Sequence, residues 1–425
     1  MFPPPNEDHV AFVRTAVSAG DFRRLRLIGA GDVGKIFLVE WIGHNRYFAM
    51  KRLSKADMLA RNKVRRVKEE REILASARHP FILTLFFAFH DDEHLYYITE
   101  LCAGNLYEVN AKIGPLKEAV VKQYAAEVLS ALEYLHLLGI AYRDLKPENI
   151  LIGLDGHVRL ADFDLSKKVS SVTTAPVQTT RTPFQNMLRM FSSDSTSQHV
   201  SIATKPMLST TSLCGTPEYL SPEVIAGPSH SAVVDFWALG VLIFELLYGH
   251  TPFHGATQEA IFNAIKSGVV RFPDTSSVSS EAKSLIKKLL VVDPTKRLGA
   301  VHGAGDVKNH KWFRDIDFQM LRAREPLVNP KSIFRGFFDY MAALEESIQE
   351  SQQIPVTQNQ AAENSPSLSP SHHPDFENFG YASKEAIQMS LEIQKGIPST
   401  GSVPDFKGFS LTSSSGSFIN EVKKN

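Results

Sequence analysis

Apolar and polar positions along the chain change period twice, and the changes divide it. Residues 22–50 alternate short apolar runs with turns, the pattern of an antiparallel hairpin, with Lys35-Ile36-Phe37-Leu38-Val39 and Tyr47-Phe48-Ala49-Met50-Lys51 reading as strands. Residues 54–77 then take a helical period with many basic groups: Lys63, Arg65, Arg66 and Lys68. Strand patterns return at Phe81–Phe89 and Leu95–Thr99, and a polar break at Cys102-Ala103-Gly104-Asn105 closes a small, mostly β unit. From Leu116 the period is helical again: Val120, Val121, Tyr124, Val128, Leu132 and Leu135 share one side, and Gly139 is placed to end the helix. A hairpin pattern at Ile150–Leu160, a nearly uniformly apolar helix at Asp235–Tyr248 and a helix near Ser280–Leu290 complete a larger, mainly helical unit. A small β unit joined to a larger helical one is expected to leave a ligand-sized cleft. Beyond residue 313 the chain drifts toward Gln, Ser, Pro and Asn, poor material for a core.

Composition narrows this picture mainly by exclusion. The 425 residues allow two or three domains, and 43% hydrophobic with 22% charged is ordinary for a water-soluble protein. The 46 basic and 46 acidic residues cancel, so overall charge names neither nucleic acid nor membrane as a partner. The two cysteines, Cys102 and Cys214, lie far apart without zinc-site spacing, so a reducing compartment is the default. The start, Met1-Phe2-Pro3-Pro4-Pro5, has no basic or apolar leader pattern and argues against secretion. Phe236–Tyr248 is too short to span a bilayer and contains Glu245.

The candidate chemistry sits in Tyr142-Arg143-Asp144-Leu145-Lys146-Pro147-Glu148-Asn149, followed by Asp162-Phe163-Asp164. Pro147 disfavours helix at Lys146, so a carboxylate, an amine and an amide share a turn. An Asn and an Asp closing on one point are hard oxygen ligands suited to magnesium carrying phosphates. The other Asp and the Lys are then free to orient a hydroxyl and to steady charge on a moving phosphoryl group. The plain alternative is a polar turn between strands. Upstream, Gly29-Ala30-Gly31-Asp32-Val33-Gly34 would let backbone amides approach phosphate. A GxGxxG run is weak by itself. A dinucleotide-binding loop would need its last Gly to open a helix, whereas a strand pattern follows. Lys51 closes an apolar strand, and Glu70 could turn inward to pair with it.

Together these motifs resemble the eukaryotic protein kinases over residues 22–313, in order and in spacing. The resemblance implies an α+β, two-lobed protein kinase fold: a small antiparallel β lobe with one helix (22–101), a mainly helical large lobe (102–313), and a largely disordered tail (314–425). Tyr142, Leu213-Cys214-Gly215-Thr216-Pro217-Glu218-Tyr219 and Asp293-Pro294-Thr295-Lys296-Arg297-Leu298-Gly299 look like the AGC group of serine/threonine kinases. Carried over, ATP would lie under Gly29, Ala30, Gly31, Asp32, Val33 and Gly34, beside Ile36 and Ala49, with Lys51 on its phosphates and Glu70 placing Lys51. Thr99 falls at the gatekeeper position, with Glu100 to Cys102 as the hinge. Asp144 would orient the substrate hydroxyl, Lys146 would contact the transferred group, and Asn149 and Asp162 would bind Mg2+. Glu223 would pair with Arg297. A pseudokinase that binds nucleotide without transfer is the alternative, and a lipid kinase a more distant one.

Departures from the usual pattern sharpen the resemblance. Asp164 stands where most kinases have Gly; Asp-Phe-Asp looks like the plant blue-light and auxin-transport kinases and the fungal kinases that activate lipid flippases. Ala103-Gly104-Asn105 lacks an acidic residue that relatives place there, while Glu148 and Glu245 match two others that read arginines, so with Thr216 in the peptide platform a basic substrate context is implied. A Ser/Thr-rich insertion occupies about 169–210. After it Ser212 matches an activation-loop phosphosite, where phosphate would sit near Arg66, Arg143 and Lys167. In the tail, Phe338-Asp339-Tyr340 resembles a segment that touches the nucleotide pocket. Phe376-Glu377-Asn378-Phe379 and Phe406-Lys407-Gly408-Phe409 both resemble the hydrophobic motif that docks in cis beside the Glu70 helix. The expected partners are protein substrates and an upstream activating kinase, with no nucleic acid. The chain is expected to be a monomer in the cytoplasm, with nuclear or peripheral-membrane placement left open.

Overall fold

The structure, a computed structural model, describes residues 17–31, 34–168, 201–203, 217–227, 229–274, 278–352, 374–376 and 379–387. By their internal contacts the described residues divide into two units: one from the stretches up to Asn105, Leu151–Asp164 and from Val328 on, the other from Leu106–Ile150 and Leu165–Leu327.

The first unit is built on an antiparallel sheet. Strands β1 (Phe22–Ala30), β2 (Gly34–Trp41), β3 (Arg46–Ser54), β4 (Leu85–His90) and β5 (His94–Thr99) run in the order β1-β2-β3-β5-β4. Alternation along β2 sends Val39 and Trp41 into an aromatic core with Phe22, Phe48, Phe87 and Phe89, and Leu38 to the opposite face. The basic stretch 54–77 is two helices, not one. Helix α1 (Lys55–Ala60) is capped by Ser54, whose hydroxyl accepts from the Asp57 N–H at 3.2 Å, and α2 (Val64–Ser76) follows after Asn62, held at a φ of 52°.

Two further stretches depart from the expected pattern. Cys102–Asn105 is not a polar break but a strand, paired with Ile150–Gly153. Gly104 is required there: a Cβ on it would lie 2.2 Å from Cε1 of Phe334, which packs against the backbone. The tail also contributes more core than its composition promises. The helix Arg335–Gln352 lays Phe337, Tyr340, Met341 and Leu344 at i, i+3, i+4 and i+7 against Leu38, Tyr47 and Leu101. Tyr381–Ala382 adds a sixth strand on the free edge of β4, and Phe376 and Phe379 are buried. Phe379 lies 5.4 Å from the Tyr97 ring, while Phe376 carries Lys55 over its face at 5.2 Å. Phe406 and Phe409 lie outside the described residues.

The second unit is mainly helical. The helix Glu118–Leu137 buries the predicted side chains Val120, Val121, Tyr124, Val128, Leu132 and Leu135. The helix Val234–Tyr248 is apolar nearly all round because it is enclosed on all sides, with Trp237 stacked on Phe253 at 5.4 Å. Arg297 reaches the start of this helix: its Nη1 and Nη2 donate to the two oxygens of Glu223 at 2.6 and 2.8 Å, and Nη1 also donates to the carbonyl of Val233. No helix among the described residues is long and apolar enough to cross a membrane.

Candidate active site

In the first unit the hairpin β1–β2 is followed by a strand, not a helix. Gly29 and Ala30 end β1, Gly31 donates its N–H to the Gly34 carbonyl at 2.9 Å, and Asp32 and Val33 lie outside the described residues. Of the three loop glycines, Gly34 is the one the packing demands: a Cβ there would sit 2.6 Å from Leu53 Cδ2 and 2.8 Å from the Arg52 carbonyl oxygen. Register places Ile36 opposite Lys51 and Ala49 opposite Thr99, so these four side chains share a face of the sheet.

Lys51 is the centre of this face. Its ammonium donates to Glu70 Oε1 at 2.8 Å and lies 3.9 Å from Asp162 Oδ1. Burial opposes its charge, but the carboxylates of Glu70, Asp162 and Asp164 outweigh that and hold its pKa above the ordinary lysine range. Burial pushes the Glu70 carboxyl upward, and Lys51 works against the rise. Asp162, with a left-handed φ of 55°, leaves its carboxylate 47% exposed, while the next side chain, Phe163, is wholly buried and fixes the segment. The Glu100 carboxylate is already engaged: it accepts from the Thr84 N–H at 2.8 Å and from Arg159 Nε at 3.0 Å. Arg159 also donates to Asp155 at 2.8 Å, tying the strands that lead to Asp162 back to the end of β5. The Cys102 thiol is pushed well above its usual range by burial.

The second unit holds the loop Tyr142–Asn149. Asp144 accepts from Lys146 Nζ at 3.0 and 2.9 Å and from Asn149 Nδ2 at 2.7 Å. Asn149 Nδ2 also lies 2.9 Å from the Asp144 carbonyl, so the loop is closed on itself. Its anchor is Asp235, which in the sequence stands out only as the polar start of the apolar helix. Asp235 is fully buried; Oδ1 accepts the Arg143 N–H at 2.7 Å, and Oδ2 accepts the Tyr142 N–H at 2.9 Å and lies 2.8 Å from His136 Nε2. Arg143 is held at a φ of 67°, and its Nε donates to the Leu165 carbonyl at 2.7 Å.

The predicted acidic positions occupy the same unit. Glu245 accepts a 2.6 Å hydrogen bond from the Tyr219 hydroxyl. Burial first, then the charges of Glu148 and Glu218, push the Glu245 carboxyl upward against that bond. Ser212 and Thr216 lie outside the described residues.

Comparisons with known proteins bear on this arrangement. The model of the family described as "Protein kinase domain" matches residues 22–313. The chain is 45% identical over 329 residues to serine/threonine-protein kinase ppk22 of Schizosaccharomyces pombe, covering 75% of this chain and 60% of that protein. It is 43% identical over 317 residues to flippase kinase 1 of Saccharomyces cerevisiae, covering 74% of this chain and 34% of that protein. Phototropin-1A of Oryza sativa subsp. japonica is 43% identical over 308 residues, covering 72% of this chain and 33% of its own length. The chain therefore spans three fifths or less of each of these relatives.

Proposed function

This chain belongs to the protein kinase domain family, and from that premise we propose that it is a serine/threonine protein kinase, transferring the γ-phosphoryl group of ATP to hydroxyls of protein substrates. The observation that carries the proposal is the Lys51–Glu70 ion pair with Asp162 beside it: a cation of fixed position, kept charged, next to a solvent-facing carboxylate. That pairing suits a polyphosphate, which needs an ammonium that does not titrate away and a hard oxygen ligand for its counterion.

In this reading Lys51 holds ATP phosphate oxygens and Glu70 keeps its amine from swinging to solvent. The hairpin backbone from Gly29 to Gly34 covers the phosphates, Ile36 and Ala49 flank the base with Thr99, and Glu100 to Cys102 meet it by backbone groups, because the Glu100 side chain is spent on Thr84 and Arg159. Asp162 and Asn149 would hold magnesium. Bound there, the ion would neutralise phosphate charge. An ion held by two protein side chains would take its remaining ligands from phosphate and water. Asp144 accepts the hydrogen bond of the substrate hydroxyl and takes its proton as the new phosphorus–oxygen bond forms and the bond from the γ-phosphorus to the bridging oxygen breaks, ADP leaving with that electron pair. Lys146, already on Asp144, moves its charge to the transferred group.

Glu148 is exposed, and its charge and that of Glu218 both reach Glu245, so arginine-containing peptides are the favoured substrates. Regulation by phosphate on Ser212 belongs to the same proposal. The test is transfer from ATP to a basic peptide, with Asp144→Asn as the control. The parent should turn over, and the variant should bind ATP while losing about 10²–10⁴-fold in kcat. A parent that binds ATP without transfer, or an Asp144→Asn variant as fast as the parent, overturns the proposal.

A further inference from the structure

The residue after Phe163 is doing something that the nucleotide site does not explain. Asp164 is absent from the left-handed backbone positions among the described residues, so its place imposes no strain that would call for glycine. Its charge helps to keep Lys51 protonated, but the side chains it meets as ion-pair partners are at the start of α2. Asp164 Oδ2 lies 3.6 Å from Arg66 Nη1 and 3.9 Å from Lys63 Nζ.

Helix α2 needs such a partner at that end. Lys63 occupies its N-cap without a side-chain cap hydrogen bond, and its first turn carries no acidic residue. The stretch Lys63, Arg65, Arg66 and Lys68 instead crowds positive charge onto the terminus where the helix dipole is itself positive. Arg65 is paired within the helix to Glu69 at 2.8 Å, on the exposed side. Arg66 is four residues before Glu70, so the two share a face one turn apart. That face therefore carries two ion pairs of opposite polarity. The helix gives an anion, Glu70, to Lys51, and a cation, Arg66, to Asp164. The two carboxylates of the 162–164 segment complete the circuit, with Asp162 3.9 Å from Lys51.

We propose that Asp164 is a positioning residue: a carboxylate latch that neutralises the basic N-terminal turn of α2 and, by fixing Arg66, holds Glu70 in register with Lys51. The proposal rests on the reading of Lys51 and Glu70 as the phosphate-holding pair, but its first readout does not. With side chains 27% exposed for Asp164, 40% for Arg66 and 20% for Lys63, the latch is partly screened, and removing it should give a severalfold effect rather than unfolding.

The experiment uses the full chain and four variants: Asp164→Asn, Asp164→Glu, Arg66→Gln and the double Asp164→Asn/Arg66→Gln. Amide hydrogen exchange across Val67–Leu74 is read beside steady-state transfer to a basic peptide. Asp164→Asn should speed exchange there about two- to fivefold and lower kcat by a similar factor. Asp164→Glu should recover at least half of both effects. The double variant should be no worse than the worse single, because both remove one interaction. Exchange and kcat both unchanged in Asp164→Asn would overturn the latch, as would strictly additive single effects. Recovery of the Asp164→Asn loss by raised magnesium alone would overturn it too, and mark Asp164 as a metal ligand. If the parent transfers no phosphoryl group, the kinase reading fails, while exchange still decides the latch.

Discussion

Asp235 should be the most sensitive single position in the second unit outside Asp144. Its carboxylate is wholly buried, and three donors converge on it: the Tyr142 and Arg143 N–H groups and His136 Nε2, at 2.9, 2.7 and 2.8 Å. Asp235→Asn keeps the shape but replaces one oxygen by an amide donor. If Oδ1 stays on Arg143, the new NH2 faces the Tyr142 N–H, and a buried backbone donor is left without an acceptor. Losing a charge-assisted bond costs about 1.5–3 kcal/mol, and orphaning the donor about 1–3 kcal/mol. Overlap between these terms leaves an expected loss of roughly 2–4 kcal/mol. At ~2–4 °C per kcal/mol for a unit of this size, the thermal midpoint should fall by roughly 4–16 °C. Activity should fall further than stability explains. Arg143 holds a left-handed φ of 67°, a conformation costing about 1–2 kcal/mol, and Asp235 is what holds it there. Once released, the backbone relaxes and Asp144, the next residue, leaves its place between Lys146 and Asn149. The assay is scanning calorimetry beside peptide phosphorylation at a temperature where the variant remains folded. A variant with an unchanged midpoint and kcat within twofold of the parent would refute the anchoring role.

Two further predictions test packing and charge. Glu245→Gln should leave stability unchanged or raised while selectively slowing phosphorylation of arginine-containing peptides, as read from paired kcat/KM values. Because burial raises the folded Glu245 pKa, the folded state holds that proton more tightly than the unfolded chain does. Its contribution to stability is thus present at low pH and declines as pH rises through the raised value, whereas the preference for arginine grows over the same interval; a parent whose arginine preference is flat from acid to neutral pH would contradict the assignment. Gly104→Ala should cost about 1–3 kcal/mol by driving the Phe334 ring from its seat, and Phe334→Leu added to it should recover part of that loss. Additive melting shifts in the double variant would show that the two positions do not meet.

Legibility in the sequence followed the range of the interaction. The hairpin, the helix beginning near Leu116 and the apolar helix up to Tyr248 rest on period and local caps, and they fold where the pattern puts them. The Lys51–Glu70 pair was also legible, although β3 does not close at Lys51 as its apolar run suggests but continues to Ser54, so the lysine projects from within the sheet toward an inward acid on α2. The period over 54–77 reads as one helix because the break at Arg61–Lys63 has no Gly or Pro; Asn62 takes the left-handed turn instead. Its one available signal was Ser54, a cap for a short first helix. Composition concealed the tail helix, whose Phe337, Tyr340, Met341 and Leu344 carry a helical stripe inside a Gln- and Ser-rich region.

The positions that escaped are those whose partners are backbone groups or charges far along the chain. Nothing near Asp235 announces that it will accept two N–H groups from residues more than ninety positions earlier. Asp164 is the same case in reverse: as a local residue it reads as a replacement for glycine, and only the uncapped, acid-free start of α2 gives its carboxylate something to do. A helix whose own sequence leaves its N-terminus positive requires a negative charge from elsewhere, since the dipole and the lysine and arginine side chains repel one another at close range. The requirement is visible in residues 63–68 alone. What they cannot reveal is the donor, and the fold supplies it from the segment that also carries Asp162. Placement of Glu70 and placement of Asp162 therefore depend on one another through Arg66 and Asp164. A change at either end of that circuit should be felt at Lys51, although neither Arg66 nor Asp164 is its direct hydrogen-bond partner.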